Sequence, residues 1–265
     1  MHWDSLASSY DGKVVYAGQS IIGPLYISAD YGITWKRNEA SGLLTWHSIS
    51  CSKNGSIVVA AAKGAGVYMT FDYGNSWNPL YNSWELYFNA VSCDNDCKNI
   101  IVAIYDDYVW ISKNYGKAWV KSCNNLVKGW FSAASSGDGS ILAAGEYYGN
   151  IYISYDKGST WSRNLNAGTG RWYSIDISTN GLFVLASNYL GSLIISRDSG
   201  ETWNIIDMIE NLPWRSAVIS DDGRKVAAIY SRDNLGGIYT GYWTYSISPR
   251  YTLFTATFTT ILDDR

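Results

Sequence analysis

Ser28-Ala29-Asp30-Tyr31-Gly32-Ile33-Thr34-Trp35 is the first of five copies of one phrase, Ser-x-Asp-x-Gly-x-Thr-Trp. The others start at Thr70, Ser112, Ser154 and Ser196 and end on Trp77, Trp119, Trp161 and Trp203, always 42 residues on. A fixed period between about 20 and 50 residues marks a repeat architecture, in which one supersecondary unit stacks on copies of itself. Outward from the phrase, an aromatic follows each box tryptophan after 11 residues, at Trp46, Phe88, Trp130, Trp172 and Trp214, and Trp3 opens the first unit, which carries one extra residue. Each opens a stretch alternating with period two, such as Trp172-Tyr173-Ser174-Ile175-Asp176-Ile177, which reads as a strand. A glycine turn follows, then a small apolar run, a short variable loop, a third strand ending in the phrase, and a fourth strand after it.

Four short strands in each unit of about 42 residues form the blade of a β-propeller. The reading is an all-β, six-bladed propeller of four-stranded antiparallel blades, one domain over residues 1–265, with the phrase turning between third and fourth strands. The blades fall near 1–42, 43–84, 85–126, 127–168, 169–210 and 211–265. The last unit lacks the phrase, and a β-branched, aromatic tail at 250–262 is expected to supply its outer strand.

The phrase has a structural mechanism. Asp30, Asp72, Asp156 and Asp198 can accept backbone N–H bonds within their own turn, and Asn114 keeps an amide oxygen for the same task. The glycine supplies a positive φ. Trp35, Trp77, Trp119, Trp161 and Trp203 anchor the hairpin. On these residues the chain resembles the Asp-box (bacterial neuraminidase repeat) superfamily over about residues 1–248. That superfamily includes sialidases, sortilin-type receptors, xyloglucan-cleaving glucanases and a photosystem assembly factor. The resemblance implies that the box lies at the periphery, away from the ligand face, and leans towards an extracellular or lumenal setting. Functions on this fold differ too widely for the fold to choose among them.

Composition narrows the field. Net charge is −3 with both signs interspersed, so no basic stripe meets a phosphate backbone and no nucleic-acid partner is expected. No apolar run reaches the ~20 residues that span a bilayer. Met1-His2-Trp3-Asp4 carries no signal-peptide pattern. Two histidines and no Cys-x-x-Cys pair argue against a metal site, and no cofactor is expected. Cys93 and Cys97 can close a small disulfide loop in an oxidising compartment or stay as thiols.

A sialidase needs three convergent arginines and a Tyr–Glu pair. Arg163, Arg197 and Arg224 sit beside turns instead, and no arginine opens the first blade. A two-carboxylate glycosidase needs only two acids at the right separation, and Asp106, Asp107, Glu146 and Asp233 are the acids on the variable loops. The residues that break the repeat gather on one face: Trp84, Tyr105-Asp106-Asp107-Tyr108, Glu146-Tyr147-Tyr148, Tyr189 and Arg232-Asp233. Aromatic rings with acids and arginine suit a protein or glycan partner. The expected function is a non-catalytic binding or scaffold propeller within a larger assembly, with a glycoside hydrolase or lyase as the alternative.

Overall fold

The computed structural model describes residues 3–81, 86–123, 126–189, 191–206, 212–232, 235–245 and 252–259. Its strands form antiparallel sheets in chain order. The first sheet is β1 (Trp3–Ser8), β2 (Val15–Gln19), β3 (Leu25–Ser28) and β4 (Lys36–Asn38). The second is β5 (Trp46–Cys51), β6 (Val58–Ala62), β7 (Gly66–Thr70) and β8 (Asn78–Tyr81). The next eight strands are β9 (Tyr87–Cys93), β10 (Ile100–Asp107), β11 (Val109–Ser112), β12 (Val120–Ser122), β13 (Lys128–Ser135), β14 (Leu142–Glu146), β15 (Ile151–Ser154) and β16 (Ser162–Asn164). Then come β17 (Trp172–Ile177), β18 (Val184–Asn188), β19 (Ser192–Ser196) and β20 (Asn204–Ile205). The last sheet is β21 (Trp214–Ile219), β22 (Lys225–Arg232), β23 (Leu235–Tyr245) and β24 (Thr252–Thr259).

The reading of six separate sheets needs a correction: four sheets have four strands, and β9–β16 form one sheet of eight. The cause is local. β10 runs on to Asp107, Asp106 turns into the left-handed region (φ 55°), and Tyr105 and Asp107 then pair with Gly129 and Lys128 of β13.

The first strands of successive units lie against one another, β1 on β5, β5 on β9, β9 on β13, β13 on β17 and β17 on β21, so they surround the axis of the propeller. The core lies between neighbouring sheets. The opening aromatics Trp46, Phe88, Trp130, Trp172 and Trp214 are fully buried, each against the strands of the preceding unit. Burying such a ring removes its whole apolar area from water, the largest single contribution a residue makes here. The preceding sheet admits it with a small residue at one fixed position: Gly18, Ala61, Ala103, Gly145 or Ser187. A Cβ on Gly18 would come within 2.8 Å of the Trp46 Cβ, and one on Gly145 within 2.8 Å of the Trp172 Cβ. In the last sheet the same position holds Ile229, which is 44% exposed. At the other end Trp3 is 52% exposed and Leu6 67%. The first and last sheets therefore do not meet as the other neighbours do.

Two hydrogen-bonded turns close each of the first five units at the opposite end from the variable loops. In the box, Asp30 accepts from the Thr34 N–H (2.8 Å) and the Thr34 hydroxyl, while the Ser28 hydroxyl accepts from the Gly32 N–H (2.9 Å). Asn114 accepts from the Ala118 N–H at 2.9 Å, so the amide serves as expected. The positive φ is shared: Tyr31, Tyr73, Tyr115, Lys157 and Ser199 are left-handed as well as the glycines that follow them. Between first and second strands, a Ser-x-Asx-Gly turn, replaced by Asp94-Asn95-Asp96-Cys97 in the third unit, joins units through the backbone. Tyr10 N–H donates to the Lys53 carbonyl (2.8 Å), Lys53 to Asn95 (2.7 Å), Asn95 to Gly137 (2.9 Å) and Gly137 to Thr179 (2.9 Å). Thr179 N–H reaches the Asp221 carboxylate at 3.0 Å. Cys93 and Cys97 are joined in a disulfide; Cys51 and Cys123 are thiols. Among the described residues no helix is long and apolar enough to cross a membrane.

Candidate functional site

At the loop end, every first strand carries a β-bulge at the same place in the repeat. The register skips one residue after each opening aromatic: Asp4, His47, Asn89, Phe131, Tyr173 and Arg215. A bulge leaves one residue unpaired and re-aims its side chain. Its neighbours hardly vary, with an aromatic before and Ser5, Ser48, Ala90, Ser132, Ser174 or Ser216 after. The bulge residue itself differs in all six. Because the first strands are innermost, these six stand around the mouth of the axis.

They touch from strand to strand. His47 Nδ1 is 2.5 Å from the Asp4 carboxylate. Asn89 Nδ2 donates to the Trp130 carbonyl at 2.9 Å. The Phe131 and Tyr173 rings are 4.6 Å apart, and the Arg215 guanidinium lies 5.2 Å from the Tyr173 ring.

Beside Phe131 and Tyr173, β10 adds Tyr105 and the second-to-third-strand loops add Tyr147, Tyr148 and Tyr189. Tyr147 is central, 5.3 Å from Phe131, 5.8 Å from Tyr173, 6.2 Å from Tyr105 and 4.7 Å from Tyr148. Tyr173 stacks on Tyr189 at 4.9 Å. Two guanidiniums lie on this wall: Arg171 is 4.4 Å from the Tyr148 ring and 5.6 Å from Tyr147, and Arg215 is 4.7 Å from Tyr189. Burial, aided by the hydrogen bond with Tyr147, pushes the Tyr173 phenol up to about 12, so it is neutral at physiological pH.

The sequence-derived residues thus divide. Tyr105, Tyr147, Tyr148 and Tyr189 join the cluster. Tyr108 and Asp107 belong to an outer group: Lys121 sits 4.0 Å from the Tyr108 ring, and Trp110 Nε1 donates to Asp107 at 3.4 Å. Asp106 is the left-handed residue that couples β10 to β13. Glu146 is buried, paired with Lys128, and accepts from the Asn150 N–H at 2.6 Å, which pins the Tyr147–Asn150 loop. That hydrogen bond with Glu146 raises the Lys128 pKa. Trp84 and Asp233 lie outside the described residues, as does the Arg232 side chain. Sequence reasoning missed Phe131, Tyr173, Arg171 and Arg215. For Phe131, Tyr173 and Arg215 the signal was present: one variable position directly behind an otherwise repeated aromatic.

No family model matches the chain, and no curated protein does. Solved structures are similar to it in fold. An ancestral GH74 enzyme superposes with a TM-score of 0.73 at 15% identity, covering 97% of this chain and 38% of its own. The GH74 xyloglucanase from Xanthomonas campestris gives 0.70 at 13% identity, over 96% of this chain and 47% of its own. YCF48 bound to a D1 peptide gives 0.64 at 13% identity, over 89% and 77%. The chain spans less than half the length of either GH74 enzyme. At such identities the likeness establishes the fold, a β-propeller of antiparallel sheets.

Proposed function

We propose that the chain is a non-catalytic, six-unit propeller of the Asp-box type that docks a carboxylate-bearing segment of a partner protein at the mouth cluster, as one component of a larger assembly. The eight-stranded sheet then counts as two units fused at Tyr105–Asp107. The observation that carries the partner class is the stacking of Arg171 and Arg215 on tyrosine faces. Those faces are occupied, so they offer little to a neutral sugar ring, while the fork of a guanidinium such as that of the exposed Arg215 matches a carboxylate. Tyrosine and arginine are also the residues enriched at the centres of protein interfaces. Support of a weaker kind comes from the peptide-bound YCF48 propeller, which shares the fold. A hydrolase would need two acids facing each other; of those named for it, Glu146 is paired with Lys128 and Asp107 accepts from Trp110 Nε1 in the outer group.

The test is to probe the full chain on a peptide array and a glycan array side by side. The expected result is enrichment of Asp- and Glu-containing peptides, lost in an Arg171→Gln/Arg215→Gln variant. Binding confined to glycans, or release of reducing sugar from a β-glucan, would replace this reading with a carbohydrate-directed one.

A further inference from the structure

The outer strands of propeller sheets expose unpaired N–H and C=O groups, and natural proteins blunt such edges by shortness, charge or proline. β4, β8, β12, β16 and β20 obey, with two to four residues each; four carry Lys, Arg or Pro (Lys36, Pro79, Lys121, Arg163), and β20 has two residues only. β24 does not. It is eight residues long, Thr252-Leu253-Phe254-Thr255-Ala256-Thr257-Phe258-Thr259, with no charge and no proline, and it is the last strand of its sheet. β23 and β24 also overhang the rest of that sheet. Tyr242 is the last β23 residue paired with β22, while Trp243, Thr244 and Tyr245 pair only with Phe254, Leu253 and Thr252. A two-stranded ribbon of this kind has little stability by itself.

A second observation concerns the face of the same sheet. Val218, Ile229, Ile238 and Tyr242 lie on one side by register and are 53%, 44%, 40% and 46% exposed. Ile229 takes the place of the small residue that elsewhere admits the tryptophan of the next unit, so a further repeat unit does not fit there in the usual way.

The occupant is indicated by the strand itself. Phe254-Thr255-Ala256-Thr257-Phe258 reads the same in both directions. Antiparallel pairing about a twofold axis at Ala256 sets Ala256 opposite Ala256, Thr255 opposite Thr257 and Phe254 opposite Phe258. Like aromatic and like β-branched residues then face each other across the strands, the pairings that stabilise a sheet. We propose that two copies of this chain associate through β24, joining their last sheets into one continuous sheet and setting their exposed apolar faces side by side across the seam. The contact is isologous and closes at two copies.

The experiment is sedimentation of the full chain over a concentration series, with site-directed cross-linking. The expected species has twice the 29.5 kDa mass of one chain. Ala256→Lys, which sets two like charges on the axis, shifts it to one chain with the melting curve retained. Ala256→Cys oxidises to a covalent dimer, because opposed Cα atoms in an antiparallel pair are about 4.5–5.5 Å apart, within disulfide reach. Thr255→Cys, which faces Thr257, does so far more slowly. A wild-type chain that stays single at high micromolar concentration overturns the proposal. So does equal cross-linking at 255 and 256, which needs no dissociated variant to interpret.

Discussion

A propeller repeat is decided by which side chains can be large. Gly145 and Ile229 occupy one position in successive environments: the first has the Trp172 Cβ within 2.8 Å of where its own Cβ would stand, the second is half exposed. Gly145→Val should therefore lose about 1–3 kcal/mol through overpacking, while Ile229→Ala should change stability by no more than about 0.5 kcal/mol. Equilibrium urea unfolding of the two variants checks both. The box carboxylates give a pH prediction. Hydrogen bonds from Thr160 and Ser154 hold Asp156 down at about 2, and Thr34 does the same for Asp30. A depressed carboxyl stabilises the fold above its unfolded value, and that contribution disappears as pH falls through the folded value, so the box turns should loosen only between about pH 4 and 2. Proton NMR of the box amides should follow this. Asp156→Asn should melt closer to wild type than Asp156→Ala, because Asn114 already shows an amide oxygen holding the same turn.

Between elements, the junction of β17 and β21 behaves differently from the boxes. The Asp176 carboxylate accepts from the Ile177 N–H at 3.0 Å and the Ile219 N–H at 2.8 Å, yet burial outweighs these bonds and pushes its pKa up to about 6. The folded state then holds this proton more tightly than the unfolded chain, so stability falls as pH rises from about 4 to 6 and levels off above. Thermal melts across that window should show the decline, and Asp176→Asn should remove it. How much of this was legible varied by element. The period and the opening tryptophans announced the strands, because packing repeats the same demand in every unit. The bulge left only a variable position behind a repeated aromatic, since Asp4, His47, Asn89, Phe131, Tyr173 and Arg215 share no chemistry; what they share is a backbone register. The fusion of β10 with β13 was silent, as it depends on one left-handed aspartate, Asp106.

Across the whole molecule, chemistry and packing are separated by face. The ends of the units bearing the Ser-x-Asx-Gly and box turns are satisfied by their own hydrogen bonds, and the loop end carries the aromatic–arginine cluster. The repeat breaks on the loop face, where Tyr105, Tyr147, Tyr148 and Tyr189 lie in one ring cluster. The partner of Glu146 was not legible, because a lone glutamate in sequence does not reveal that Lys128, on the neighbouring strand, pairs with it. If the cluster binds as proposed, Arg171→Gln/Arg215→Gln should leave the melting temperature nearly unchanged, since both arginines touch the surface of the tyrosine wall rather than the sheet interfaces. The most direct measurement is amide and arginine side-chain chemical-shift mapping of the full chain, titrated with an acetylated Glu-rich peptide and with its Gln counterpart. The account predicts shifts at Arg171, Arg215, Tyr147 and Tyr189 with the Glu peptide and few with the Gln peptide. Shifts centred on the opposite turns around Tyr10, Lys53 and Asn95, or equal responses to both peptides, would contradict it.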